Sequence, residues 1–152
     1  LDFKKVIRTN RESDSDIPFS ITERQRTEPF LYIPKALTLN KETHQAHVMI
    51  GSRGYNAYNE KRTGLYLLNN LLGGPGMNSR LNVSLRERRG LVYNVEANLT
   101  SYTDTGVFCI YSELIRKMQP CIGLVHKELK KLRDSKLSSS QLNAAKNKSS
   151  DK

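Results

Sequence analysis

The sequence predicts an α+β domain, an antiparallel sheet with helices packed on one of its faces. Three observations lead there. Alternating apolar runs at 91–99 and 106–111 flank Ser101-Tyr102-Thr103-Asp104-Thr105, a turn-like pentapeptide, which is the pattern of an antiparallel hairpin. Directly after it, Ile115, Met118, Cys121, Ile122, Val125, Leu129 and Leu132 recur at helical spacing. Taken along the whole chain, the element order is strand, helix, helix, hairpin, helix, helix.

Residues 1–42 lack sustained periodicity. They are punctuated by Asp14-Ser15-Asp16-Ile17-Pro18, Glu28-Pro29-Phe30 and Ile33-Pro34-Lys35, so they read as an extended linker with short strand pieces. Residues 43–152 carry the domain. Gln45 to Gly51 reads as a strand through Ala46-His47-Val48-Met49-Ile50, closed by Gly51-Ser52-Arg53-Gly54. From Lys61 to Leu72, Leu65, Leu68 and Leu72 recur at helical spacing, and Gly73-Gly74 supplies the stop. Asn78 is placed to cap the next helix, whose apolar side includes Leu81 and Leu85 and which Gly90 ends. The strand that follows puts Leu91, Tyr93, Val95, Ala97 and Leu99 on one side. Ser138 and Gln141 form a capping box for a last helix that the chain only begins.

A length of 152 residues suits one compact core plus a tail or linker. The start at Leu1 without a Met and the nascent helix at Asn143–Lys148 suggest a piece of a longer protein, incomplete at its C-terminal end. The net charge of +10 is concentrated late, with 8 basic and 3 acidic groups in residues 127–152. Those lysines lie at helical spacing among apolar residues, as on the solvated side of an amphipathic helix. The aromatics do not interleave with basic groups as stacking platforms do, which argues against a nucleic-acid partner. Cys109 and Cys121 form no C-x-x-C pair and lie on apolar faces, so free thiols are expected rather than a metal site or a disulfide. No apolar run reaches ~18 residues and no signal-peptide pattern is present, so the chain is expected to be soluble and not membrane-spanning.

The histidines do not make a metal centre. His44 and His47 are an odd number of residues apart in strand context, which points them to opposite faces, and His126 stands alone. No serine sits in a G-x-S-x-G elbow, and Gly73-Gly74-Pro75-Gly76 lacks the G-K-[ST] ending of a phosphate loop. Arg86 and Tyr93 are more promising. Gly90 breaks the helix between them, so a guanidinium and a phenol can meet at one cleft edge and donate hydrogen bonds to a carbonyl or a forming oxyanion. The plainer alternative pairs Arg86 with Glu87 or another acid and makes Tyr93 a half-buried strand aromatic.

The segment Leu68-Asn69-Asn70-Leu71-Leu72-Gly73-Gly74-Pro75-Gly76-Met77-Asn78-Ser79-Arg80-Leu81, followed by Leu85-Arg86-Glu87-Arg88-Arg89-Gly90-Leu91-Val92-Tyr93-Asn94-Val95, resembles the second homologous domain of the insulinase and mitochondrial-processing-peptidase family. These are the pitrilysin-type zinc metallopeptidases with an inverted H-x-x-E-H motif. The resemblance implies a clamshell of two α+β domains, of which the first binds zinc and the second does not. This chain contains no H-x-x-E-H and matches the second. By resemblance, Arg86 and Tyr93 correspond to an Arg and a Tyr that reach toward substrate at the zinc. Gly73, Gly74 and Gly76 resemble a much shortened glycine-rich substrate loop.

What this implies is the non-catalytic, substrate-clamping half of a zinc metalloendopeptidase, inactive by itself, with zinc held by another domain. The implied partners are a peptide or unfolded polypeptide and a homologous zinc-bearing domain in the same or a partner chain, a homodimer being one arrangement. A non-peptidase structural or peptide-binding subunit of the same family is the alternative; a basic nucleic-acid-binding module is a third reading.

Overall fold

The computed structural model describes residues 26–27, 29–42, 44–115 and 118–150. Asp14–Pro18 and the rest of residues 1–25 lie outside them. Three strands, β1 (Ala46–Gly54), β2 (Val92–Ser101) and β3 (Gly106–Leu114), form one antiparallel sheet in the order β1-β3-β2. Helix α1 (Arg62–Gly73) and a π-helical segment (Asn82–Glu87) lie between β1 and β2. Helices α2 (Met118–Asp134) and α3 (Ser139–Ser150) follow the sheet.

The hairpin forms where the turn residues predict it. The Tyr102 N–H donates to the Thr105 carbonyl (2.7 Å), and β2 pairs with β3 from Ser101↔Gly106 upward. The central place of β3 comes from its second partner. β1 runs along its other edge from Ala46↔Leu114 to Gly54↔Gly106, so Gly51-Ser52-Arg53-Gly54 continues the strand instead of closing it. Local glycine content predicts a turn there, but pairing with β3 satisfies the backbone groups and outweighs it.

One face of the sheet is apolar. Val48, Val95, Ala97 and Ile110 point inward and meet Leu72, Leu81, Leu85, Cys121 and Val125 from the helical side, all buried. Full burial of a Leu or Val is worth about 1.5–3 kcal/mol relative to exposure, so this layer is the main source of cohesion. Helix α1 packs on β2 and on α3, and α2 packs on the π-helical segment. The capping box is present in both directions. The Gln141 N–H donates to Ser138 Oγ (3.3 Å), and the Ser138 N–H donates to Gln141 Oε1 (3.2 Å). The helix it starts runs to Ser150, a full 12 residues rather than a beginning.

Two side-chain expectations change. Ile115 falls just past β3 and is 44% exposed, and the α2 stripe includes buried Glu128, whose carboxylate takes a Lys131 ammonium at 2.7 Å. Tyr93 does not share a face with Val95. A β-bulge between Val92 and Asn94 inserts one residue, so Val92 and Val95 both face the core and Tyr93 is 55% exposed.

Cys109 is half-buried and Cys121 buried, both free. Burial pushes both thiols up; the Glu96 charge adds to this at Cys109, and a hydrogen bond with Ser112 partly offsets it at Cys121. No helix among the described residues is long and apolar enough to cross a membrane.

Two outcomes follow from the packing. Gly73→Ala places a methyl 2.7 Å from the Ala97 nitrogen and should destabilise the intact protein by about 1–3 kcal/mol, as overpacking does. Gly64→Ala, in α1 with open space around its Cβ, should stabilise by about 0.4–1 kcal/mol. Urea midpoints of the two variants check the opposite signs. For the thiols, a raised pKa favours the protonated form. Iodoacetamide at pH 7.5 should therefore leave Cys121 unlabelled in the folded protein, and labelling of Cys109 should keep accelerating as pH rises past the ordinary thiol value; mass spectrometry reads both.

Candidate substrate-binding site

Helix α1 ends against the sheet. Gly73 is its last residue and is buried, with its Cα so near β2 that any side chain would collide with Ala97 and Glu96 backbone atoms. The Gly74 N–H caps the helix by donating to the Asn70 carbonyl (3.2 Å), and Gly74 itself is extended (φ −68°, ψ 177°). Within this loop the left-handed conformation belongs to Gly76 alone (φ 118°). Gly73 and Gly74 are thus glycines for closeness, and only Gly76 is one for turn geometry.

After the turn, the Ser79 carbonyl accepts the first helical bond, from the Val83 N–H at 3.0 Å, so the cap position falls one residue beyond Asn78. The helix then widens. The Arg88 N–H reaches back five residues to the Val83 carbonyl (3.1 Å), the mark of a π turn, where the leucine spacing alone predicts an α-helix. Leu81 and Leu85 are both fully buried across this turn. Gly90 terminates it as expected, at φ 55°, with its N–H on the Arg86 carbonyl (2.8 Å).

The loop, the π turn and β2 enclose a cleft of about 430 Å³. Its walls are Gly73–Met77, then Asn82 and Arg86, then residues 94–98 of β2. Three of the residues singled out in the sequence, Gly73, Gly74 and Gly76, therefore meet a fourth, Arg86, in one place. Tyr93 does not line the cleft; it precedes Asn94, which does, and is turned to solvent by the bulge. Asn82, Asn94, Glu96 and Asn98 are lining residues that motif reading passed over. Val95 and Ala97 line the cleft as well, so β2 meets it along its edge, and the alternation of faces along the strand carries no signal for these residues.

Arg86 pairs with its neighbour. Nε donates to Glu87 Oε1 at 3.0 Å. Nη2 lies 3.0 Å from the same oxygen, but the angle gives it no hydrogen bond, and it is buried without an acceptor among the described residues. Glu87 is 48% exposed, so the pair sits at the surface, where such contacts contribute about 0–1 kcal/mol.

The helix-free face of the sheet carries a polar row. His47 Nδ1 is 2.8 Å from the Tyr111 hydroxyl, the two rings stack, and the hydroxyl donates to Glu113 Oε1 at 3.2 Å. Partial burial first, then Glu113 and Glu96, push the Tyr111 phenol up. His44 lies ahead of β1, and His126 is on α2. Among the described residues no three His, Cys, Asp or Glu side chains converge, so these residues do not fit a zinc ion.

The family model described as the peptidase M16 inactive domain matches residues 4–149, and the chain belongs to this family. A Bacillus subtilis protein described as an uncharacterized zinc protease, YmxG, is 45% identical over 75 residues, covering 49% of this chain and 18% of that protein. A Rickettsia felis protein described in the same words is 33% identical over 108 residues, covering 71% of this chain and 26% of the relative. The chain thus spans about a fifth to a quarter of these relatives.

Among solved structures, the peptidase M16 inactive domain from Pseudomonas fluorescens matches with TM-score 0.66 and 26% identity, over 71% of this chain and 26% of that one. A Helicobacter pylori protease matches in fold with TM-score 0.72 at 19% identity, over 99% of this chain and 38% of that one.

Proposed function

We propose that this chain is the substrate-holding, non-catalytic part of a zinc endopeptidase acting on peptides or unfolded polypeptide. On this reading residues 1–42 are the connection between domains and residues 43–152 the zinc-free domain. The zinc belongs to a homologous domain in the same or a partner chain. The observation that carries the reading is the position of Arg86, in the wall of a cleft bordered by the glycine loop and by strand β2.

Three properties of the cleft suit polypeptide. β2 is an edge strand of the described sheet, and an unpaired edge offers main-chain donors and acceptors to an extended chain. Gly73–Gly76 places backbone without side chains along one wall, which leaves room for a chain to pass. Among the described residues Arg86 is held by a surface pair with Glu87 worth about 0–1 kcal/mol. A charge-assisted hydrogen bond to a substrate oxygen contributes about 1.5–3 kcal/mol, so exchange of partner is favourable.

In this role Arg86 donates to the scissile carbonyl as negative charge develops on its oxygen. Tyr93, set outward by the bulge, donates its phenol proton to the same oxygen or to the adjacent one. Neither group is a nucleophile or a base, and this chain alone hydrolyses nothing.

Arg86→Ala and Tyr93→Phe in the intact protein should each lower kcat/KM on an unfolded polypeptide substrate by roughly 10-fold or more, the loss of one transition-state donor. Thermal melting should be unchanged in Tyr93→Phe, whose ring stays. Wild-type kinetics in both variants would overturn the assignment.

A further inference from the structure

The π-helical segment has a second side. Asn82 and Arg86 line the glycine-bordered cleft, and two residues are roughly half a helical turn, so Arg80, Ser84 and Arg88 fall on the opposite side. There they line a separate groove of about 360 Å³, together with Glu128 and Lys131 of α2. The groove and the cleft share no lining residue.

The charge of this groove is one-sided. Three cations line it against one carboxylate, Glu128, which already holds the Lys131 ammonium at 2.7 Å. Among the described residues the Arg80 and Arg88 side chains have no ion pair and no hydrogen bond. Two guanidiniums, a net charge of +2, are therefore left unneutralised in one wall.

Ser84 separates this groove from an ordinary solvated helix face. It is 7% exposed and yet lines the groove. Its hydroxyl oxygen accepts from Arg89 Nη1 at 3.5 Å, and nothing among the described residues accepts its proton. The same Arg89 nitrogen is anchored on the Ser84 carbonyl at 2.9 Å, which keeps a further positive charge beside the hydroxyl. A buried donor without an acceptor is costly, and a bound acceptor would remove that cost.

The unengaged groups named here all donate, so the ligand they fit accepts. Arg80 and Arg88 each lie four residues from Ser84, about 6 Å along the helix, within reach of an arginine side chain. A carboxylate brings one charge and two oxygens. A phosphate group carries about −1.5 to −2 charge at neutral pH and three strong acceptor oxygens, and it matches the guanidinium fork. We propose that the groove between the π-helical segment and α2 binds a phosphate-class anion, a single phosphate or a diphosphate. Arg80 and Arg88 pair with its oxygens, and Ser84 Oγ donates to it. Glu128 does not oppose it, because Lys131 neutralises that carboxylate. The site is independent of the polypeptide cleft.

Isothermal titration of the intact protein at constant ionic strength tests the site, with sodium phosphate, pyrophosphate and acetate as probes. Phosphate or pyrophosphate should bind where acetate does not. Arg80→Gln and Arg88→Gln should each weaken that binding about 10-fold, and Ser84→Ala about 3-fold, as loss of one donor does. Arg133→Gln removes the same charge from α2 outside the groove and should change affinity less than about 2-fold. Pyrophosphate binding about 10-fold tighter than phosphate identifies a diphosphate ligand; equal affinities identify a single phosphate. Phosphate held by a metal elsewhere in the protein would be insensitive to all of these substitutions.

Wild-type affinity in both groove arginine variants overturns the proposal. So does an equal loss in Arg133→Gln, or acetate binding as tightly as phosphate. Should the Gln variants not fold, the wild-type protein decides. Pyrophosphate should then slow phenylglyoxal modification of Arg80 and Arg88 but not of Arg133, read by peptide mass spectrometry. Equal modification rates with and without pyrophosphate overturn the site.

Discussion

The contact between Gly73 and the backbone of β2 governs where everything around the cleft can sit. A methyl group at this position would lie 2.7 Å from the Ala97 nitrogen and 2.9 Å from its Cβ, so only a bare Cα permits the approach. Because α1 ends in van der Waals contact with β2, the residues after it must leave along the strand. The loop Gly74–Met77 therefore runs beside β2, and the π-helical segment that follows is brought back over Leu81 and Leu85 onto the same core. A helix held one side-chain layer farther away would separate the loop from the strand, and the cleft between them would open onto solvent.

Two local irregularities then aim the polar groups. The π turn widens the helix at Asn82–Glu87, and the bulge adds a residue at Val92–Asn94. Each departs from the regular period by about one residue, and each lets apolar neighbours on both sides stay inside: Leu81 with Leu85, and Val92 with Val95. At the bulge the residue between them, Tyr93, is displaced toward the outside. Insertions of this kind recur next to functional sites because they redirect a side chain without disturbing the layer beneath.

The same region carries two of the buried polar atoms that have no hydrogen-bond partner among the described residues, Asn82 Oδ1 and Arg86 Nη2. Asn82 and Arg86 are embedded in a wall stabilised by full burial of Leu81 and Leu85, so the apolar layer supports polar groups that do not support themselves. Glu128 shows the contrasting arrangement on α2: it is buried too, but its carboxylate has the Lys131 ammonium at 2.7 Å.

Local periodicity and turn chemistry by themselves determined the element order, the β2–β3 hairpin, the ends at Gly74 and Gly90 and the reciprocal Ser138–Gln141 cap, because each rests on interactions within a few residues. The Gly-to-Tyr segment also determined the family. Tertiary structure alone decided the rest. That β1 extends through Gly54 depends on β3, some 55 residues away in sequence. That Tyr93 faces outward depends on which of two one-residue registers buries more apolar surface, and alternation read along β2 alone cannot contain that comparison. That Asn82 and Arg86 line one cleft with residues 94–98 of β2 depends on how closely α1 approaches the sheet. A sequence names the residues able to form hydrogen bonds; only packing decides which of them are left without a partner.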